Sequence, residues 1–316
     1  MKKFYLMRHP ELFQGDKYLK KSKNYFEGWY FKNTNNDNGI SFIPGISIDG
    51  NDKKAFIQLI TNNSSYYVNY SIDKFEYSYK PFYIKIGNNL FSKNGIHIDI
   101  KDNINNLIVF GDIEYYNSRN IKTSFFSPNI MGPFSYLPFM ECNHAILCMK
   151  CNNYGFININ DNVIEFDNDI SYIEKDFGSS FPKSYVWCQG NNFQNTNASF
   201  MLSIADIPFK VFNFRGIICD LMIDDTEYKF ATYNCTKIVK YDINDNFINI
   251  ILKKGKYLLD IKSEYANGFR LSAPVKGKMD KYILESICSS VTVTLKKKKK
   301  TIFSDTSVNS GLEIVN

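Results

Sequence analysis

The sequence predicts an all-β chain built as two antiparallel barrel or sandwich halves. Three observations point there. Aromatic residues reach 16%, with 27 Phe and 22 Tyr, a bias that suits strands and large apolar cavities better than helical bundles. Short alternating or β-branched runs recur along the whole chain, separated by polar turn clusters such as NNDNG, SIDGND and SKNG. Almost nothing has the period and length of a helix.

The runs follow one another closely. After NYFEGWYFKN (24–33) come GISFIPGISI (39–48), KAFIQLI (54–60), SYYVNYSI (65–72), FYIKIG (82–87), GIHIDI (95–100) and NLIVFGDIEYY (106–116). ECNHAILCMKC (141–151), GFININ (155–160) and SYVWCQGNNF (184–193) continue the series. ASFMLSIADI (198–207), FRGIICDLMID (214–224), YKFATYN (228–234), NFINIILKKG (246–255), YLLDIKSEY (257–265) and SSVTVTL (289–295) complete it. Roughly fifteen strands exceed the roughly eight of one small barrel, so two halves are expected. SPNIMGPFSYLPF (127–139), with three prolines, reads as irregular structure between them. It divides the chain into an N-terminal half, 1–135, and a C-terminal half, 136–316.

Composition narrows the function. A hydrophobic content of 44% over 316 residues describes a globular protein. The net charge of +6 owes most of its excess to the run Lys296–Lys300. Without that run the balance is near neutral, so nucleic acid is not an expected partner. The run itself reads as a solvated loop between strands, with peripheral membrane contact as the alternative. The N-terminus lacks an apolar stretch of signal length, and no window approaches a spanning helix. Seven cysteines, an odd number at irregular spacings, fit reduced thiols and a cytoplasmic location. Nucleotide and hydrolase motifs such as G-x-G-x-x-G, G-x-x-x-x-G-K-[ST] and G-x-S-x-G are absent, so no nucleotide cofactor is implied.

Two motifs place acids among aromatics. In a strand, Phe26, Gly28 and Tyr30 share one face, and Glu27, Trp29 and Phe31 the other. Glu27 therefore sits either at a barrel rim or in an apolar setting that raises its pKa. In YIEKDFGSSFPKSYVWCQGNNF (172–193), Glu174 and Asp176 share a face opposite Lys175. Tyr185, Trp187 and Gln189 alternate on one face of the next strand. An acid pair facing aromatics suits proton-initiated chemistry on an alkene, because a carboxyl delivers the proton and π faces stabilise the cation. The plainer reading is a turn carboxylate paired with Lys175 or Lys183. Cys142, His144, Cys148 and Cys151 suggest a metal site, but the first three would line one strand face over about 20 Å, too far apart to close a tetrahedron. No metal is expected. His144 is then either a structural histidine or an acid–base group in a cavity.

These residues also carry a resemblance. HPELFQG, KNYFEGWYFK, FIPGIS, IMGPFSYLPFMECNHAI, YIEKDFGSSFPKSYVWCQGNNF, SFMLSIADIP, FATYNCTKI, APVKGKM and GLEIV resemble, in order, bacterial members of the tocopherol cyclase-like family. The resemblance implies two lipocalin-like β-barrel halves. It also implies a cofactor-independent reaction, in which a prenylated hydroquinone folds in an apolar cavity, its alkene is protonated, and the phenol oxygen closes a chromanol ring. Carried over to this chain, Asp176 or Glu174 would donate the proton, with Glu27 or His144 assisting. Trp29, Tyr30, Tyr185, Trp187, Gln189 and Phe177 would contact the substrate. Phe177 stands where an EKDWG form has tryptophan; it keeps the π face but loses the indole N–H. The alternative function is a non-catalytic carrier or sensor of a hydrophobic molecule using the same cavity.

Overall fold

The computed structural model describes residues 2–137, 140–209 and 212–316. Its alternating runs build two rolled antiparallel sheets. In the first, Tyr25–Thr34 lies between Gly39–Asp49 and Asn162–Gly178. The sheet continues through Asp52–Thr61 to Ser65–Ser71 on one side. On the other it runs back through Cys142–Ile159 and Leu107–Arg119 to Phe75–Tyr79. The two edge strands are consecutive in the chain, joined only by the turn Ile72–Lys74, so the sheet curls until its edges nearly meet. The second sheet repeats the plan. Tyr185–Gly190 pairs with Ala198–Phe209 and with the last strand, Lys300–Val315, and the seam falls between Thr226–Ala231 and Lys237–Ile243. Rolling in this way hides most of each sheet's edge.

The sheets divide at residues 179–184, not at 135. Cys142–Ile159 and Asn162–Gly178, expected in the C-terminal half, complete the first sheet. The proline-rich stretch is therefore a crossover and not a linker. It packs Ile130 and Met131 between the sheets, beside Ile121, and contains a 3₁₀ turn at Gly132–Tyr136. Pro138 and Phe139 of that stretch lie outside the described residues. Two short helices, Lys2–Arg8 and Asp16–Lys21, add to the expected strands. No helix among the described residues is long and apolar enough to cross a membrane. Lys296–Lys300 forms the hairpin between Lys278–Lys297 and Lys300–Val315, with residues 297–300 exposed.

Three cores result, because the central strands bury both faces. Trp29 and Phe31 enter the first barrel with Phe91 and Phe166. Val186 and Cys188 enter the second with Phe200 and Leu259. Tyr30, Tyr172, Tyr185 and Trp187 face a third core between the barrels. Each buried ring contributes roughly 1.5–3 kcal/mol. Apolar side chains pack inside both barrels. At the crossing that aims these strands, Gly28 and Gly45 stand opposite each other. A Cβ on Gly45 would lie 2.6 Å from the Phe56 ring and 2.7 Å from the Glu27 carbonyl. Gly45→Ala is expected to lower stability by about 1–3 kcal/mol in urea unfolding, since the backbone there cannot yield.

Candidate active site between the two barrels

The FEGWYF and EKDFG motifs carry different duties on their two faces. On the odd face, Glu27 is fully buried and 2.5 Å from the Lys175 ammonium. The Tyr25 hydroxyl donates to Glu27 at 2.7 Å, and the Gln14 amide reaches both its oxygens at 2.9 and 3.0 Å. Lys175 Nζ also donates to the carbonyls of Pro10 (2.8 Å) and Leu12 (2.7 Å), and lies over the rings of Trp29 and Phe177. Trp29 Nε1 donates to the Glu11 carbonyl at 2.9 Å. Burial pushes the Glu27 carboxyl up and the Lys175 ammonium down, and each is the other's main compensation. Together they clasp the HPELFQ segment across the end of the first barrel, where Phe13 packs on Phe75 and Tyr77.

Glu27 was expected to assist the reaction. Strand alternation sends it to the barrel side instead, where it holds the chain. Trp29 borders the cavity, but its indole is turned into the first barrel. Phe177 packs under Lys175 and lines a separate hollow beside the N-terminal segment. Gln189 accepts from the buried Lys32 ammonium at 3.0 Å, away from the cavity wall.

The even face opens on a cavity of about 170 Å³ between the barrels. Its walls are mainly apolar, with Phe26, Phe134, Phe181 and Phe214 among them. Tyr30 and Trp187 meet edge to face there, ring centroids 5.6 Å apart, and Tyr185 lies alongside. Register brings the polar groups together. Asp176 faces His144 on one neighbouring strand and Gly28 on the other, and Glu174 stands opposite Tyr30. Gly28 leaves space beside Asp176, where a Cβ would meet nothing closer than 3.8 Å.

His144 lies between the two acids. Its Nδ1 is 2.9 Å from Asp176 Oδ1, and its Nε2 is 3.3 Å from Glu174 Oε2 without aligning as a hydrogen bond. Tyr172 (2.6 Å) and Trp187 Nε1 (3.2 Å) also donate to Glu174 Oε2. Burial alone would lower the His144 pKa, but Asp176 and Glu174 outweigh it and hold the imidazolium up to about 9. Burial raises Glu174 to about 7 against the pull of His144. At neutral pH this wall thus holds a protonated histidine and a carboxyl poised near half-protonation.

Two further acids complete the cavity from the second sheet. Glu285 and Glu313 stand opposite each other on adjacent strands, 1% and 9% exposed. Tyr30 donates to Glu285 and Tyr185 to Glu313, each at 2.5 Å. Burial raises Glu285 well above the usual carboxylate range and Glu313 to about 7. The sheets are cross-tied. Tyr30 lies opposite Glu174 in its own sheet yet bonds Glu285 of the other, while Trp187 lies opposite Glu313 yet bonds Glu174. Neither glutamate was singled out from the sequence. The available signal was a lone acid inside an apolar strand, in YILESIC and SGLEIV.

Ligand atoms of His144, Glu174 and Asp176 lie within 4.8 Å of one another, near enough to hold a metal ion. Such an ion would have to displace the carboxylate contact at one His144 nitrogen. Of the Cys–His run, His144 belongs to this cluster and Cys142 Sγ lies 3.7 Å from Asp176 Oδ1, but the later cysteines do not join them. A bulge between Ile146 and Cys148 breaks the single face expected for the run and turns Cys148 into the first barrel with Cys151.

Two rolled antiparallel sheets with an acid-lined apolar cavity between them define a lipocalin-type pair. The sequence pattern of tocopherol cyclase-like proteins matches residues 122–315, and the chain belongs to that family. The match spans every cavity acid named above but not the FEGWYF segment. CghA has a similar structure (TM-score 0.56, 6% identity, 92% of this chain and 88% of that one). So does CghA with Sch210972 (0.53, 7% identity, 93% and 89%). Kievitone hydratase from Nectria haematococca is also similar (0.51, 12% identity, 96% and 93%). At these identities the likeness is one of fold. No curated protein matches the sequence.

Proposed function

We propose that the protein catalyses a proton-initiated cyclisation of a prenylated aromatic, of the quinol-to-chromanol type, in the cavity between its barrels. The observation that carries this reading is the convergence of His144, Glu174 and Asp176 on an apolar, aromatic-walled space. A carrier needs only the apolar walls. Acids that face the cavity, and not turn lysines, favour chemistry.

Glu174 is the donor. Three groups converge on its Oε2, which leaves Oε1 to carry the proton. Transfer to the alkene forms a C–H bond and a tertiary cation, against which Tyr30 and Trp187 present their π clouds. The phenol oxygen then closes the C–O bond and releases its proton, so the net change is an isomerisation. His144, fixed through Nδ1 by Asp176, meets the carboxylate left on Glu174. Addition of water to the same cation would be a hydration, the activity that the name of one fold neighbour carries.

The rate should follow the protonated fraction of Glu174. With a prenylated hydroquinone as substrate, turnover falls about tenfold per unit above about pH 7. A rate that is flat or rising from pH 7 to 9 rules Glu174 out as donor.

A further inference from the structure

Glu285 and Glu313 have no part in protonating the alkene, yet both reach the cavity from the sheet facing Glu174. Among the described residues neither forms an ion pair, and the side chains that donate to them are the phenols Tyr30 and Tyr185. The buried Lys32 ammonium instead bonds the Gln189 side chain and the Asn309 carbonyl. Glu285 and Glu313 are direct register partners on adjacent strands, and two ionised carboxyls so placed in a dry site would repel each other, which favours their sharing a proton. Such a dyad can donate a hydrogen bond and accept a proton at once, whereas a purely structural contact would be served as well by two amides. The phenols meet one oxygen of each carboxyl.

Resting on the cyclisation reading, we propose that the Glu285–Glu313 pair is the site's second acid–base centre, which seats the substrate's hydroxyl and takes its proton as the carbon–oxygen bond forms. Atoms balance. The C=C π bond and the O–H bond break, and one C–H and one C–O bond form. Glu174 loses one proton and the dyad gains one, and exchange with solvent on product release restores both. The substrate class follows. It carries its alkene toward the first sheet and its hydroxyl toward the second.

Calorimetric titration with a short-chain prenylated hydroquinone and with its dimethyl ether tests this. The wild type and Glu174→Gln should bind the quinol roughly 10- to 100-fold more tightly than the ether, the worth of a hydrogen bond to a charged group. Glu313→Gln and, in parallel, Glu285→Gln should lose most of that preference and, assayed for chromanol, most turnover. Two variants are read so that misfolding of one leaves the other informative. If both keep the full preference, the proposal is overturned and the Glu174 reading stands. If the wild type prefers the quinol but never converts it, the base role and the cyclisation reading both fall, and hydroxyl seating alone survives. Equal binding of quinol and ether by the wild type overturns the seating itself.

Discussion

Asp176→Asn lowers turnover of a prenylated hydroquinone by about 10²- to 10⁴-fold and leaves its binding within a few-fold. The cause is indirect. The Asp176 carboxylate lies 2.9 Å from His144 Nδ1, and its charge is the main reason that the buried imidazole keeps a proton up to about pH 9. Asparagine removes that charge without removing bulk. His144 then falls toward neutrality, and Glu174 loses the cation that receives its negative charge. The apolar walls that hold the substrate are untouched, so binding persists. Steady-state kinetics beside calorimetry separate the two effects, and full activity in this variant would remove Asp176 from the mechanism.

Lys175→Met has the largest expected effect on stability, about 3–5 kcal/mol in denaturant unfolding. It strands the fully buried Glu27 carboxylate and frees two carbonyls of the N-terminal segment. Cleavage by a protease should begin within residues 9–15, the stretch that the clasp holds. Below the unfolding transition, quinol binding should remain, because Lys175 points away from the cavity. Unchanged stability would mean that the clasp contributes little to the fold. Lost binding in a folded variant would mean that the odd face reaches the site after all.

Much of this site was legible because strand alternation is a strict rule. Phe26, Gly28 and Tyr30 on one face, and Glu174 with Asp176 opposite Lys175, follow from the sequence and match the structure. The purpose of each face was not legible. Both faces of Tyr25–Thr34 are buried, so hydrophobicity could not say whether the cavity lay beside Glu27 or beside Tyr30. The sheet boundary carries no local signal for a related reason. Prolines between residues 127 and 139 look like a linker, whereas the pairing of the first strand with Asn162–Gly178 is a long-range contact with no local mark. Glu285 and Glu313 meet only through register between two long strands with bulges, and one shifted residue would have turned either away.

The most direct test of the central claim is to incubate the protein with a prenylated hydroquinone in D₂O and weigh the product. Proton delivery from a solvent-exchanged carboxyl to the alkene predicts a chromanol carrying one carbon-bound deuterium per turnover, formed by the wild type and almost absent with Asp176→Asn. Quinol recovered unchanged and free of carbon-bound deuterium would contradict acid chemistry at this cavity.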